Sequence, residues 1–151
     1  MRVVVQRVIK GGVVIEAMGY SAKIAQGFVI LLGVKQGDTL DDVRFLADKC
    51  ANLRVFEDAA GKMNLSILDI FGDVLIISQF TLYGDAGKGN RPSFIMAARP
   101  EEAIALYESF IARMQELLGE DKVKVGIFGA MMEVEIINDG PVTIIIDSKQ
   151  K

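Results

Sequence analysis

The chain has 151 residues, 51% hydrophobic and 25% charged, with a formal net charge of −3. That length suits one domain, residues 1–151, able to bury about 70% of its unfolded surface. The acidic balance argues against broad electrostatic nucleic-acid binding, and no apolar run reaches the roughly 20 residues that span a bilayer.

Histidine is absent. Ser-His-Asp and Cys-His nucleophilic systems and His-ligated zinc are therefore excluded. The single cysteine, Cys50, and scattered carboxylates give no metal-ligand spacing, so neither a metal nor a cofactor is expected. One cysteine forms no internal disulfide, which suits a reducing compartment. The first residues show no long apolar stretch before a small-residue cleavage site. The expected location is the cytoplasm, with no membrane partner.

In chain order, residues 2–9 and 13–17 are β-rich runs separated by Lys10, Gly11 and Gly12, the pattern of an antiparallel hairpin. Residues 28–34 form an almost continuous apolar run, closed by Gly37 and Asp38. A helix begins near Thr39, with Leu40, Val43, Leu46, Ala47, Cys50 and Leu53 at spacings of three and four. Cys50 lies on that apolar stripe and reads as core. Residues 54–56 read as a short strand, with Ala60, Gly61 and Lys62 as a turn after it.

Residues 73–82 read as a buried strand ending in Ser78, Gln79, Phe80, Thr81 and Leu82. Residues 84–92 concentrate three glycines with Lys88, Asn90 and Arg91. Exposed amides beside basic side chains can hold a phosphate, although the spacing is not that of a P-loop. A solvated surface loop is the alternative. Pro100 opens a second helix, Glu101 and Glu102 suit its N-terminal dipole, and Gly119 stops it. Three β-type segments follow, at residues 123–128, 131–137 and 142–147. Met131 and Met132 read as packing, with substrate contact open for Met132.

Between the last two segments stand Asn138, Asp139, Gly140 and Pro141. These residues are what an ordinary turn contains. They also form a Gly-Pro unit able to present backbone carbonyls in an unusual direction. Arg2, Arg7, Lys88, Arg91 and Arg99 could gather at one sheet edge as a short footprint for an RNA end; scattered surface charge is the alternative.

Residues 78–85 together with Gly89, Asn90, Arg91, Pro92, Ser93 and Phe94 resemble the central signature of the D-aminoacyl-tRNA deacylases. Phe128, Gly129, Ala130, Met132, Val134 and residues 138–143 resemble its C-terminal signature. The resemblance covers essentially the whole chain, including Arg7 near its start.

The resemblance implies an editing enzyme that hydrolyses the ester between a D-amino acid and the 3′ end of a tRNA, with glycyl-tRNA as a further substrate. It implies an α+β fold: a compact, mainly antiparallel, barrel-like sheet with two main helices against it, working as a homodimer. Ser78, Gln79, Phe80 and Thr81 would line the catalytic site, with the Phe80 amide donating to the ester oxygen. Gly140 and Pro141, in a cis peptide, would enter the partner subunit's site and exclude L-amino acids, and Arg7 would brace them. Phe128 and Met132 would contact substrate, and Lys88 and Arg91 the tRNA. The family uses the tRNA 2′-hydroxyl to help activate water. Three other readings remain: Thr81 as a covalent nucleophile, a non-catalytic RNA-binding or oligomerisation module, and a hydrolase of free D-amino-acid esters.

Overall fold

The first strand is longer than its sequence suggests. In the computed structural model, which describes residues 1–150, β1 runs unbroken through Arg2–Ile15. Gly11 and Gly12 are not a hairpin turn. A Cβ on Gly11 would lie 2.7 Å from Val29 Cγ2, and one on Gly12 would lie 3.3 Å from the Ala22 carbonyl oxygen. These glycines serve close approach between layers. The chain reverses instead at residues 16–19, where Gly19 takes φ +59°, and β2 (Tyr20–Ile24) returns along β1. Polar residues in β2 hide its pattern.

β1 is the axis of a nearly closed, barrel-like sheet. It pairs antiparallel with β2, with β3 (Gly27–Gly33) and, along almost its whole length, with the strand named β8 below. After helix α1 (Leu40–Asn52) and the small ribbon β4 (Phe56–Glu57) and β5 (Met63–Leu65), β6 (Asp73–Ser78) lies parallel to β3. Helix α2 (Pro100–Leu118) leads to β7 (Val123–Val125), parallel to β6, and the chain ends with β8 (Glu133–Asp147). The sheet is therefore mixed, mainly antiparallel around β1 with parallel pairs at β3–β6 and β6–β7. The strands expected over residues 73–82 and 123–128 end earlier, at Ser78 and Val125, because both segments leave the sheet to build the site.

β8 also corrects the sequence reading. Residues 138–141 do not separate two strands; one strand passes through them, and the Gly140–Pro141 peptide is cis. The irregularity lies in β8 itself: between the pairs Gln6–Thr143 and Val8–Asn138 the β8 chain carries the extra residues around the cis peptide, and a smaller shift follows between Val8 and Lys10. Those bulges change which side chains point inward. Val3 and Val5 join one core with Phe28, Ile30, Leu32, Val74 and Ile76, covered by the two helices. Val8, Val13 and Ile15 join a second core with Val29, Leu75 and Ile77. β3 and β6 are apolar on both faces, which explains their unbroken hydrophobic runs.

The helices form as their caps dictate. Thr39 N–H donates to Asp42 Oδ2 at 2.8 Å, a reciprocal first-turn cap, and Val43, Leu46, Ala47 and Cys50 face the core. α2 buries Ala103, Tyr107, Phe110 and Met114. Burial pushes the Cys50 thiol up to about 12, so it is held as an inert apolar group. No helix of the described residues is long and apolar enough to cross a membrane.

Candidate active site

β6 delivers Ser78 to the end of the sheet, where the chain cannot continue beside β3. Gln79 anchors the departure, its N–H donating to the Leu32 carbonyl at 2.8 Å. A tight 3-10 turn, Phe80–Tyr83, follows. The Leu82 N–H returns to Gln79 O and the Gly84 N–H to Thr81 O, at 3.2 and 2.9 Å. The Phe80 N–H, at the start of this turn, has no hydrogen-bond partner among the described residues. Unpaired first-turn amides are what a helical turn leaves at its start.

Ser78, Gln79 and Phe80 open onto a pocket of about 690 Å³. Phe94 stands against Phe80 edge-to-face, ring centroids 5.1 Å apart. The entry to α2, from Ala97 to Ala103, forms another wall. The loop after β7 closes the pocket with Phe128, Gly129, Ala130, Met131 and Met132. That loop is held onto the sheet at Gly126: its N–H donates to Ile76 O at 3.0 Å, and a Cβ there would meet Met132 Sδ at 2.6 Å. From below, the buried Tyr107 hydroxyl donates toward Ile76 O at 3.1 Å and Gly126 O at 3.4 Å, and its ring tilts against Phe128 at 5.9 Å.

Five of the residues singled out in the sequence therefore meet here: Ser78, Gln79, Phe80, Phe128 and Met132. Thr81 does not line the pocket, and its hydroxyl accepts a hydrogen bond from Gln79 Nε2. Met131, read as packing, is 92% exposed at the pocket edge instead. Ala97 and Ala98 carried no site assignment in the sequence; Phe94 stood there only as part of the central signature, and Arg99 only as a member of the candidate basic footprint.

Gly140 and Pro141 are exposed and lie apart from this pocket. Arg7, buried, sits behind them: Nη1 donates to Val55 O at 2.6 Å and Nε to Asp139 O at 3.3 Å, with Asp139 Oδ2 also 3.3 Å away. Asp139 and Arg7 border a separate depression of about 210 Å³. Lys88 and Arg91 stand on an exposed excursion whose base is pinned by reciprocal 2.8 Å bonds between Asp85 and Ser93. Neither has an ion-pair partner among the described residues. Among those residues no cluster of His, Cys, Asp or Glu forms a metal-ligating group.

Chemically, the pocket offers backbone and hydroxyl donors in apolar walls, with no carboxylate and no imidazole. A protein base is missing from its lining. Such a site can orient an activated carbonyl and stabilise its oxyanion.

The barrel-like sheet is an architecture shared with solved structures. One, titled c-Myc DNA Unwinding Element Binding Protein, superposes with a TM-score of 0.91 at 40% identity, covering 97% of this chain and 98% of the other. A second, a probable eukaryotic D-amino acid tRNA deacylase, shares the fold at a TM-score of 0.84 and 17% identity, covering 96% and 97% of the two chains. Residues 4–147 match the D-Tyr-tRNA(Tyr) deacylase family, and the chain belongs to it. It is 53% identical to a D-aminoacyl-tRNA deacylase of Geobacillus sp. (strain WCH70), over 100% of this chain and 97% of the relative. It is 54% identical to that of Desulforamulus reducens, over 99% of each.

Proposed function

We propose that the chain is a D-aminoacyl-tRNA deacylase, a carboxylic ester hydrolase that frees D-amino acids, and glycine, from the 3′ end of tRNA. The observation that carries this reading is the unpaired Phe80 amide at the edge of an apolar pocket without a protein base. The family membership supplies the substrate class.

In this mechanism the terminal ribose and its ester lie against residues 78–80. The Phe80 N–H donates to the carbonyl oxygen, and its bond strengthens as the tetrahedral oxyanion forms. The ribose 2′-hydroxyl, beside the ester, accepts a hydrogen bond from the attacking water and relays a proton to the departing 3′-oxygen. The ester C–O bond then breaks, leaving the amino acid as carboxylate and the 3′-hydroxyl on the RNA. Thr81 is poorly placed as a nucleophile, being outside the pocket with its hydroxyl engaged by Gln79.

Because Gly140 and Pro141 do not line their own chain's pocket, the filter that rejects L-amino acids is supplied across a homodimer. Their exposure on β8, paired within the chain only to β1, leaves them free to project into a partner. Lys88 and Arg91 reach the tRNA backbone, and the protein works in the cytoplasm.

The mechanistic test separates the amide from the ring. Phe80→Pro removes the N–H at the first residue of the 3-10 turn, a first-turn position where proline is tolerated, while Phe80→Ala keeps it. Loss of about 10²-fold or more in kcat for the proline variant alone, with circular dichroism unchanged, supports the oxyanion role. Equal effects of the two variants defeat it. Release assays with matched D-aminoacyl-, L-aminoacyl- and glycyl-tRNA test the substrate class: binding without release indicates an RNA-binding module, and turnover of free D-amino-acid esters a small-molecule hydrolase.

A further inference from the structure

Arg99 is the only charged residue lining the pocket. Its side chain is exposed and makes no hydrogen bond or ion pair with any described residue. Nor does it serve the helix it precedes. Arg99 occupies the N-cap of α2, with φ −64° and ψ 152° and no side-chain cap bond. That position favours a short side-chain acceptor, and the positive end of the helix dipole disfavours a cation. A residue that runs against local preference at the mouth of a site points to a role in that site.

The backbone around it is fixed. Ala98 N–H donates to Val34 O at 3.0 Å and Ala103 N–H to Arg99 O at 2.9 Å, so the guanidinium is carried on a firm rim. The wall it shares the pocket with is formed by Ser78, Gln79 and Phe80, where the ester is placed above. A substrate that ends in an RNA nucleotide brings one obligatory anion close to its ester, the phosphodiester on the 5′ side of that nucleotide. A planar guanidinium pairs with phosphate oxygens through two parallel bonds.

We infer that Arg99 is a positioning residue that binds the phosphodiester preceding the terminal nucleotide and so sets the ester against residues 78–80. This rests on the deacylase reading. It makes the arginine a reader of polymer attachment, distinguishing an RNA end from a free nucleoside ester.

The test compares wild type, Arg99→Ala and Arg99→Lys on D-aminoacyl-tRNA and on the phosphate-free D-aminoacyl-adenosine, over a salt series. On tRNA, Arg99→Ala is expected to raise KM about tenfold with kcat retained, and to reduce the slope of log(kcat/KM) against log[salt] by about 1. Lysine restores part of the loss. On the nucleoside ester wild type and Arg99→Ala match. Equal losses on both substrates, no change on either, or a loss confined to acidic D-amino acids overturns the inference. An inactive wild type on both substrates overturns the deacylase reading itself, whereas an active wild type with an unaffected Arg99→Ala removes this inference alone.

Discussion

The guanidinium of Arg7 lies so close to Gly140 that a Cβ on residue 140 would come within 3.1 Å of Nη2, and within 2.9 Å of Val142 Cγ2. Gly140 also holds φ +115°, where a side chain is strained. Gly140→Ala is therefore expected to cost about 1–3 kcal/mol of stability, read by urea unfolding. It should also displace the exposed 140–141 edge, so L-aminoacyl-tRNA hydrolysis should rise relative to D. Retained selectivity in a folded variant would show that this edge is not the filter.

Arg7→Ala tests the support from the other side. It leaves the Val55 and Asp139 carbonyls without their donor in a buried setting, and a loss of about 2–4 kcal/mol is expected. Arg7→Lys should recover little, since one ammonium cannot reach both carbonyls with the same planar fork.

At the pocket floor, Gly126→Ala drives a methyl into Met132 Sδ and against Ile77 Cδ1, 2.6 and 3.0 Å away. The methionine is flexible and moves first. Stability should fall by roughly 1–3 kcal/mol, with KM for the substrate rising more than kcat falls. Gly126→Ala combined with Met132→Ala should recover part of the stability.

Tyr107→Phe removes the hydroxyl that bridges β6 to the pocket loop. Loss of about 1 kcal/mol, a drop of roughly 2–4 °C in Tm, is expected. Burial pushes the Tyr107 phenol well above its ordinary range, with Tyr20 adding to the effect. Its neutral form thus stabilises the fold fully below the unfolded phenol pKa of about 10, and that contribution is lost as pH rises beyond it. The difference in stability between wild type and Tyr107→Phe should shrink at strongly alkaline pH.

Asp42 gives the opposite sign. Burial alone would raise its pKa, but hydrogen bonds from Lys149, Ser148 and Thr39 hold it far below the usual carboxylate range. Its contribution is present above the unfolded value of about 3.9 and fades as pH falls below it. Asp42→Asn should therefore destabilise by roughly 1–3 kcal/mol at pH 7, and by less at pH 3, in parallel denaturant titrations.

Much of the architecture was readable residue by residue. Thr39 and the apolar spacing from Leu40 to Leu53 announced α1, Pro100 and Gly119 bounded α2, and the apolar run to Ile77 marked β6. What escaped was long-range in origin. Gly11 and Gly12 look like a turn, yet their smallness answers to Val29 and to the Ala22 carbonyl, residues fixed only by tertiary packing. Residues 138–141 look like a break, yet they bulge out of one continuous strand and pairing with β1 resumes on both sides of them. At the site, Ser78 to Phe80, Phe94 and Phe128 stood in motifs the resemblance marked, whereas Ala97 and Ala98 reach the pocket through the path of a loop that no local periodicity encodes.

The two register shifts between β1 and β8 place Arg7 and Gly140 at a seam, where the paired strands leave the helix-covered core and enter the other. The proposed filter thus hangs from both cores, while the Phe80 turn hangs from the end of β6. Fidelity then becomes a reporter of structural integrity: loosening either core would blur chirality before it abolished turnover, so a partly damaged enzyme would fail as an indiscriminate deacylase.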